Sequence, residues 1–225
     1  MSSSRDDFLG RVRQAVAAGN RPGSAGDIEP RGSAGYQGAG VDPVKHFGQE
    51  FTALGGVFHG VDNFDSCILK VVELVGQKSP DRILLGGGPL LEQLNLSKRF
   101  PPNIRVITVD QLISTTCWES FFAADLGISE VDYLVAETGT VVLHSSPHQP
   151  RSLSLLPPIH IAIAERRQLV SDLFDLFPSS PNRPAPALPA CITFITGPSK
   201  TGDIELKLVT GVHGPGEIHV ILIDG

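Results

Sequence analysis

Apolar residues recur along the chain in two rhythms. Between residues 5 and 18, Phe8, Leu9, Val12, Ala15 and Val16 fall near one side of a helical spiral, with Arg5, Arg11 and Arg13 around the rest. A short amphipathic helix is expected there. A second helix is expected from Asp42-Pro43, because Asp is a good N-cap and Pro suits the first helical position. It presents Val44, Phe47, Phe51 and Leu54 at helical spacing. Strands and helices then alternate. The pattern predicts a strand at about 56–60, a helix at 63–75, the strand "RILLG" at 82–86, a short helix near 89–97, the strand "IRVITV" at 104–109 and a helix at about 110–125. Such alternation argues for a parallel sheet covered on both faces.

The second half of the chain changes rhythm. "VDYLVAETGTVVLHSS" at 131–146 reads as two strands joined through Glu137-Thr138-Gly139, too short a link for a helical crossover, so an antiparallel pair is expected. The strand "PIHIAIAE" at 158–165, a helix near 167–177, a Pro-rich loop at 178–189, the strand "ACITFIT" at 190–196 and the segments "IELKLV" and "EIHVILID" complete the reading. The fold class is α/β, with a mixed, mainly parallel sheet and no internal repeat.

Composition sharpens this picture at the start of the chain. Residues 19–41 are rich in glycine, with two prolines and little to bury, so ordering entropy exceeds any gain from burial. The expected organisation is an amphipathic helix and flexible linker over 1–41, then one α/β domain over 42–225. Charge excludes some partners: 18 basic against 24 acidic residues give a net charge of −6, with no basic run to track a phosphate backbone, so nucleic acid is not expected. The longest apolar runs, such as "VILI" at 220–223, fall far below the roughly 20 residues a membrane span needs. The opening "MSSSRDDFLGRVRQAVAAG" lacks the basic and apolar regions of a secretory signal, and the expectation is a cytoplasmic protein. Cys67, Cys117 and Cys191 lie too far apart for an iron–sulfur or zinc-knuckle cluster, so no cofactor and no metal are expected.

Polar residues break the apolar pattern at a few places. Gly86, Gly87 and Gly88 follow a buried strand and precede a helix, where bare backbone and free helix amides suit an anion such as phosphate; a plain tight turn is the other reading. Glu137 stands at the exit of an apolar strand, where desolvation would raise its pKa toward that of a general base or nucleophile; a solvated turn acid is the alternative. Arg151 is a fork-shaped donor for a carboxylate or phosphate ligand, or for Glu137 itself. His160, between two isoleucines, reads as a hydrogen-bonded core residue. Near the end, "GPSKTGDIE" and "GVHGPG" offer Ser199, Lys200 and Glu205 for binding, with Asp203 and His213 for proton transfer; these acids with His213 and His219 have no zinc spacing. These loops are expected at the carboxyl ends of strands beside "AETGT", where sites of open α/β sheets gather.

Four segments in order, "AETGTVVL", "RSLSLLPPIHIAI", "FITGPSKTGDIE" and "GVHGPGEIHVIL", closely resemble the LUD-domain family, densely from about 130 to 225 and by layout only before that. The resemblance implies a three-layer α/β/α fold similar to the ribose-5-phosphate isomerase and CoA-transferase superfamily. It also implies a role in oxidising L-lactate to pyruvate alongside iron–sulfur oxidoreductase subunits. Gly202 departs from the family pattern, which commonly has Ala before Asp-Ile-Glu. Three functions follow as expectations: a non-redox component binding a small carboxylate or a partner, a stand-alone isomerase or CoA-transferase-like enzyme using Glu137, or a pure assembly subunit.

Overall fold

The computed structural model describes residues 4–19, 38–109, 111, 119–176, 189–202 and 208–225. Contacts divide the chain into Met1–Tyr36 and Gln37–Gly225. In the first unit, helix α1 (Ser4–Gly19) has Asp6 and Asp7 in its first turn, where acids favour the positive end of the helix. Its Phe8, Val12 and Val16 are exposed. The glycine-rich stretch expected to be a linker falls mostly on residues 20–37, outside the described residues. At Ala39 the chain is already buried in the core of the second unit.

Helix α2 (Pro43–Ala53) begins as its sequence predicts: the Asp42 carboxylate accepts from the Lys45 N–H at 3.1 Å. Its Phe47 and Phe51 rings are fully buried and stack at 5.5 Å. Strand β1 (Val57–Val61) leads to α3 (Phe64–Lys78), capped by Asn63 accepting from Ser66 N–H at 2.9 Å. There follow β2 (Arg82–Leu85), α4 (Pro89–Leu94), β3 (Arg105–Thr108), the helical turn α5 (Glu119–Phe122) and β4 (Leu126–Glu130). Next come β5 (Tyr133–Val135), β6 (Thr140–His144), the turn α6 (Ser152–Leu155), β7 (Ile159–Glu165) and β8 (Leu169–Val170). The chain closes with β9 (Ile192–Ile195), β10 (Lys200–Gly202), β11 (Leu208–Thr210) and β12 (Glu217–Ile223).

Six strands form one sheet in the order β1-β12-β7-β4-β2-β3, and every adjacent pair is parallel. This is the α/β architecture that the alternating pattern predicts. The antiparallel pairs lie outside that sheet: β8-β5-β6-β9 form a second sheet, in which only β8–β5 is parallel, and β10-β11 a hairpin. Side-chain alternation along β7 explains how both faces are covered. Ile161 and Ile163 meet α3 and α4 on one face, with Cys67, Val71 and Leu94. Ala162 and Ala164 point the other way, and their small side chains let α2 and the second sheet pack closely through Phe47, Phe51, Leu134 and Val141. Farther along that second face, Phe121 and Leu153 cover Leu84 and Ile107.

Of the helix expected over 110–125, residues 110 and 112–118 lie outside the described residues, and Glu119–Phe122 are helical as the turn α5. The strand β4 that follows, in the middle of the main sheet, is one the pattern did not predict. One expected helix is corrected. The helix expected near 167–177 is instead two short 3₁₀ turns flanking β8. Local side-chain bonds and pairing outweigh its helical periodicity. Gln168 Oε1 accepts from Glu165 N–H at 2.7 Å, Asp172 Oδ1 accepts from Phe174 and Asp175 N–H, and Leu169 pairs with Leu134 of β5.

Candidate functional site

The motif segments do meet, but at the amino edge of the parallel sheet. Pro215 precedes β12, and the amide of Gly216 donates to the Pro158 carbonyl just before β7. Ser199 N–H donates to Pro215 O at 2.8 Å, and Gly211 N–H returns to Ser199 O at 3.0 Å. The "GPSK" loop and the "GVHGPG" loop are thereby tied. "AETGT" joins them through a run of hydroxyls, Thr138 to Thr140 at 2.7 Å and Thr140 to Thr196 at 3.0 Å. The β6–β9 pairing sets this up, because Val141 lies opposite Ile195 and so brings Thr140 beside Thr196. The "AETGT" and "GPSK" loops also lean on the end of α2. Gly139, at φ +59, has no room for a Cβ, which would lie 2.4 Å from Phe51 N. The expected position at the carboxyl ends is thus corrected: the loops precede β12 and flank the strands of the second sheet, so topology carries them to the opposite edge.

Within this rim the predicted residues have distinct fates. Glu137 is half-buried on the β5–β6 turn, and its N–H donates to Ser171 O at 3.0 Å. Lys200 Nζ donates to Leu54 O at 2.6 Å, so the ammonium also holds the carboxyl-terminal carbonyls of α2. His213 is exposed on the bend after β11. Asp203 and Glu205 lie outside the described residues. Arg151 is not part of the rim. It stands at the start of α6 beside Ser129, His144 and Thr193, and the expected salt bridge to Glu137 is not among its contacts.

The glycines at 86–88 are at the other edge, and the anion at this helix start is internal. Glu130, at the end of β4, accepts from the amides of Leu90 at 2.9 Å and Leu91 at 3.4 Å. Gly88 leaves room for that carboxylate: at φ +138, a Cβ there would come within 2.3 Å of it. The amides of Gly86 and Gly87 donate to Ile128 O and His148 O. The reading of these glycines as a phosphate cradle is therefore corrected. Burial raises the Glu130 pKa, opposed by the two amide bonds and assisted by Asp132 and Glu165.

Sequence reasoning missed a relay beneath α3. Lys78 Nζ meets the Glu217 carboxylate at 2.6 Å, and Glu217 Oε1 lies 2.6 Å from His219 Nε2. His219 Nδ1 is in turn 3.2 Å from His59 Nε2, and the two rings stack. A carboxylate only accepts, so the neutral relay has His219 Nε2–H donating to Glu217 and His59 Nε2–H donating to His219 Nδ1. Burial lowers both histidine pKa values, with Glu217 opposing it at His219, and the Lys78 and His219 bonds hold Glu217 below the usual carboxylate range despite its desolvation. His59 and His219 are 160 residues apart, and only the parallel pairing of β1 with β12 brings them together. His160 is a core residue, its Nε2 2.9 Å from Ser129 Oγ. Cys67 is buried against α3's neighbours, and burial pushes its thiol up to about 12, far from the thiolate a cluster requires. Among the described residues, no three His, Cys, Asp or Glu side chains converge on a metal-sized point. No helix among them is long and apolar enough to cross a membrane.

Known proteins are similar to this chain in sequence and in fold. A protein of Halalkalibacterium halodurans named Lactate utilization protein C is 36% identical over 166 residues, 73% of this chain and 70% of its own. An uncharacterised protein of Neisseria meningitidis is 28% identical over 223 residues, covering 98% of this chain and 94% of its own. The crystal structure of a DUF162 family protein from Deinococcus radiodurans superposes with a TM-score of 0.54 over 80% of this chain and 96% of that one, at 18% identity, which speaks to fold alone. The LUD domain pattern matches residues 44–223, nearly the whole second unit, and the chain belongs to the LUD domain family.

Proposed function

We propose that this chain serves L-lactate utilisation as a component that does not itself take up the electrons. It works beside iron–sulfur oxidoreductase subunits that convert lactate to pyruvate, and its amino-edge rim binds a small carboxylate or a partner. The observation that carries this reading is the joining of three separate motif loops into one surface through Thr138, Thr140, Thr196 and Ser199. Hydroxyls, an ammonium and an exposed imidazole are the donors a carboxylate needs, and loops already bonded to one another lose little freedom when it binds. Relatives named Lactate utilization protein C support a role in lactate utilisation.

A second reading, a pure assembly subunit, is favoured by Lys200 and Ser199, whose bonds to Leu54 and Pro215 hold the loops in place. Glu137→Gln and His213→Ala separate the two. Under the binding reading both variants melt with the wild type yet fail to restore growth on L-lactate to cells lacking the chain. Stable variants that restore full growth end it. Calorimetry with lactate and pyruvate, with and without the oxidoreductase subunits, then distinguishes a carboxylate site from a partner surface.

A further inference from the structure

At the carboxyl edge the chain leaves β2 toward the face covered by α3 and α4, where Leu91 and Leu94 pack. After β3 the described residues resume on the opposite face, where Phe121 and Ala124 pack on Leu84 and Ile107. Adjacent strands whose exits diverge leave a crevice between them, and ligands of open α/β sheets bind in such crevices. Here the crevice encloses about 260 Å³. Its floor is the buried apolar set Leu85, Leu91, Leu96 and Val109. Glu92, Asn95, Ser97 and Thr108 ring the mouth, and Gly86 and Gly87 line it without side chains. An apolar cavity with a few convergent polar groups is the ordinary form of a small-molecule site.

Charge decides the class of ligand. Among the described lining residues, Glu92 is the one charged side chain, and no cation faces it. The amides at the start of α4 are already engaged: those of Gly86 and Gly87 by backbone carbonyls, those of Leu90 and Leu91 by Glu130. A phosphate or carboxylate would enter facing an existing carboxylate, with no counter-charge among the described lining residues. A neutral molecule with a flat apolar body and several hydroxyls meets none of these penalties.

We propose that this crevice binds a nucleoside. Its base lies on the leucine and valine floor, approached closely by the backbone at Gly86 and Gly87. Its ribose diol donates to the Glu92 carboxylate, the pairing by which acids at such crevices hold ribose. Asn95 and Ser97, each able to donate and accept, complete the polar contacts. The site is independent of the amino-edge rim.

Calorimetry of the full chain with adenosine, guanosine, cytidine and uridine, and with each 5′-monophosphate, tests this. At least one nucleoside binds, and its monophosphate binds more weakly. Glu92→Gln weakens the nucleoside about ten-fold, the loss of one hydrogen bond to a charged group, and narrows the gap to the monophosphate. Ser97→Phe, which fills the mouth, abolishes binding. Both positions are exposed, so neither variant disturbs the core. His213→Ala, at the other edge, leaves nucleoside affinity unchanged. The proposal is overturned if no nucleoside binds at about 1 mM, if a monophosphate binds more tightly than its nucleoside, or if binding survives Ser97→Phe.

Discussion

The two edges of the parallel sheet solve opposite problems with similar residues. At the amino edge, loops rich in Gly and Pro bond to one another and to the end of α2, so that polar groups are closed within the loops: Ser199 on Pro215, Thr140 between Thr138 and Thr196, Lys200 on Leu54. At the carboxyl edge one side chain, Glu130, satisfies the start of α4, and the glycines beside it border an open crevice. The difference teaches that glycine serves two purposes here. At Gly139 it lets backbone meet backbone; at Gly88 it makes room for a carboxylate that can move.

The largest expected effect follows directly. Gly139→Ala places a methyl 2.4 Å from Phe51 N and 2.8 Å from Glu50 C while φ is +59. Neither backbone atom can swing aside, so a loss of about 3 kcal/mol is expected, measured by urea denaturation. Gly88→Ala also has positive φ, but its obstacle is the end of the Glu130 side chain, and about 1–2 kcal/mol is expected. Equal losses at the two sites would break the distinction between a rigid edge and a yielding one. Gly202→Ala, with nothing within 4 Å, is the control and should stay within about 0.5 kcal/mol of wild type.

Acid separates the edges by sign. The folded pKa of His160 is about 4 against 6.5 for the free group, because burial disfavours its charge. Between those values the unfolded chain takes up a proton that the folded chain refuses, so stability is complete above pH 6.5 and falls as pH drops toward 4, by up to about 3 kcal/mol. The lowered pKa values of His59 and His219 act in the same direction. Glu130 acts oppositely: its folded pKa is raised, so its ionisation costs stability as pH rises through the region just above its ordinary value. Denaturation curves from pH 7.5 to 4.5 should fall in the wild type and flatten in His160→Leu. A wild-type curve that stays level would remove His160 as the dominant titrating group.

Much of this arrangement could be read in the chain. Asp42 announces α2 because capping is local, and the apolar run "PIHIAIA" announces β7. Strand β4 escaped, since "LGISE" carries Gly127 where a side chain would strike Leu153 O at 2.4 Å and Ser129 where His160 needs a partner. Those choices answer tertiary neighbours and erase the strand signal. That the loops "AETGT", "GPSK" and "GVHGPG" meet was legible from their motifs, but their edge and the separate place of Arg151 were not, because both depend on strand order. The histidine relay is assembled from segments 160 residues apart, and no local pattern marks it.

Smaller effects sharpen the carboxyl edge. Glu130→Ala leaves the Leu90 and Leu91 amides without their acceptor and should cost about 1 kcal/mol, as loss of a helix cap does. Glu130→Gln keeps an acceptor and removes a charge that burial disfavours, so its stability near pH 7 should lie within about 0.5 kcal/mol of wild type. A Gln variant as damaged as the Ala variant would mean that the charge itself, and not the acceptor, holds α4 in place.

The smallest effect on stability carries the sharpest comparison with function. Lys200 Nζ donates one hydrogen bond to Leu54 O at an exposed site, where a cation at a helix carboxyl end contributes about 0.3–1 kcal/mol. Lys200→Met keeps the apolar stem and removes the charge, so melting should shift only slightly and should become less sensitive to salt. If the rim serves only to hold loops together, that small shift is the whole effect, and growth on L-lactate is unchanged. If the rim receives a carboxylate, the ammonium's two remaining N–H groups are part of the site, and the same variant loses growth although it stays folded. Lys200→Arg keeps the charge and should retain most of the function. A Met variant that grows like wild type would therefore leave Lys200 as a helix cap alone and shift the search for the counter-charge to the other residues of the rim.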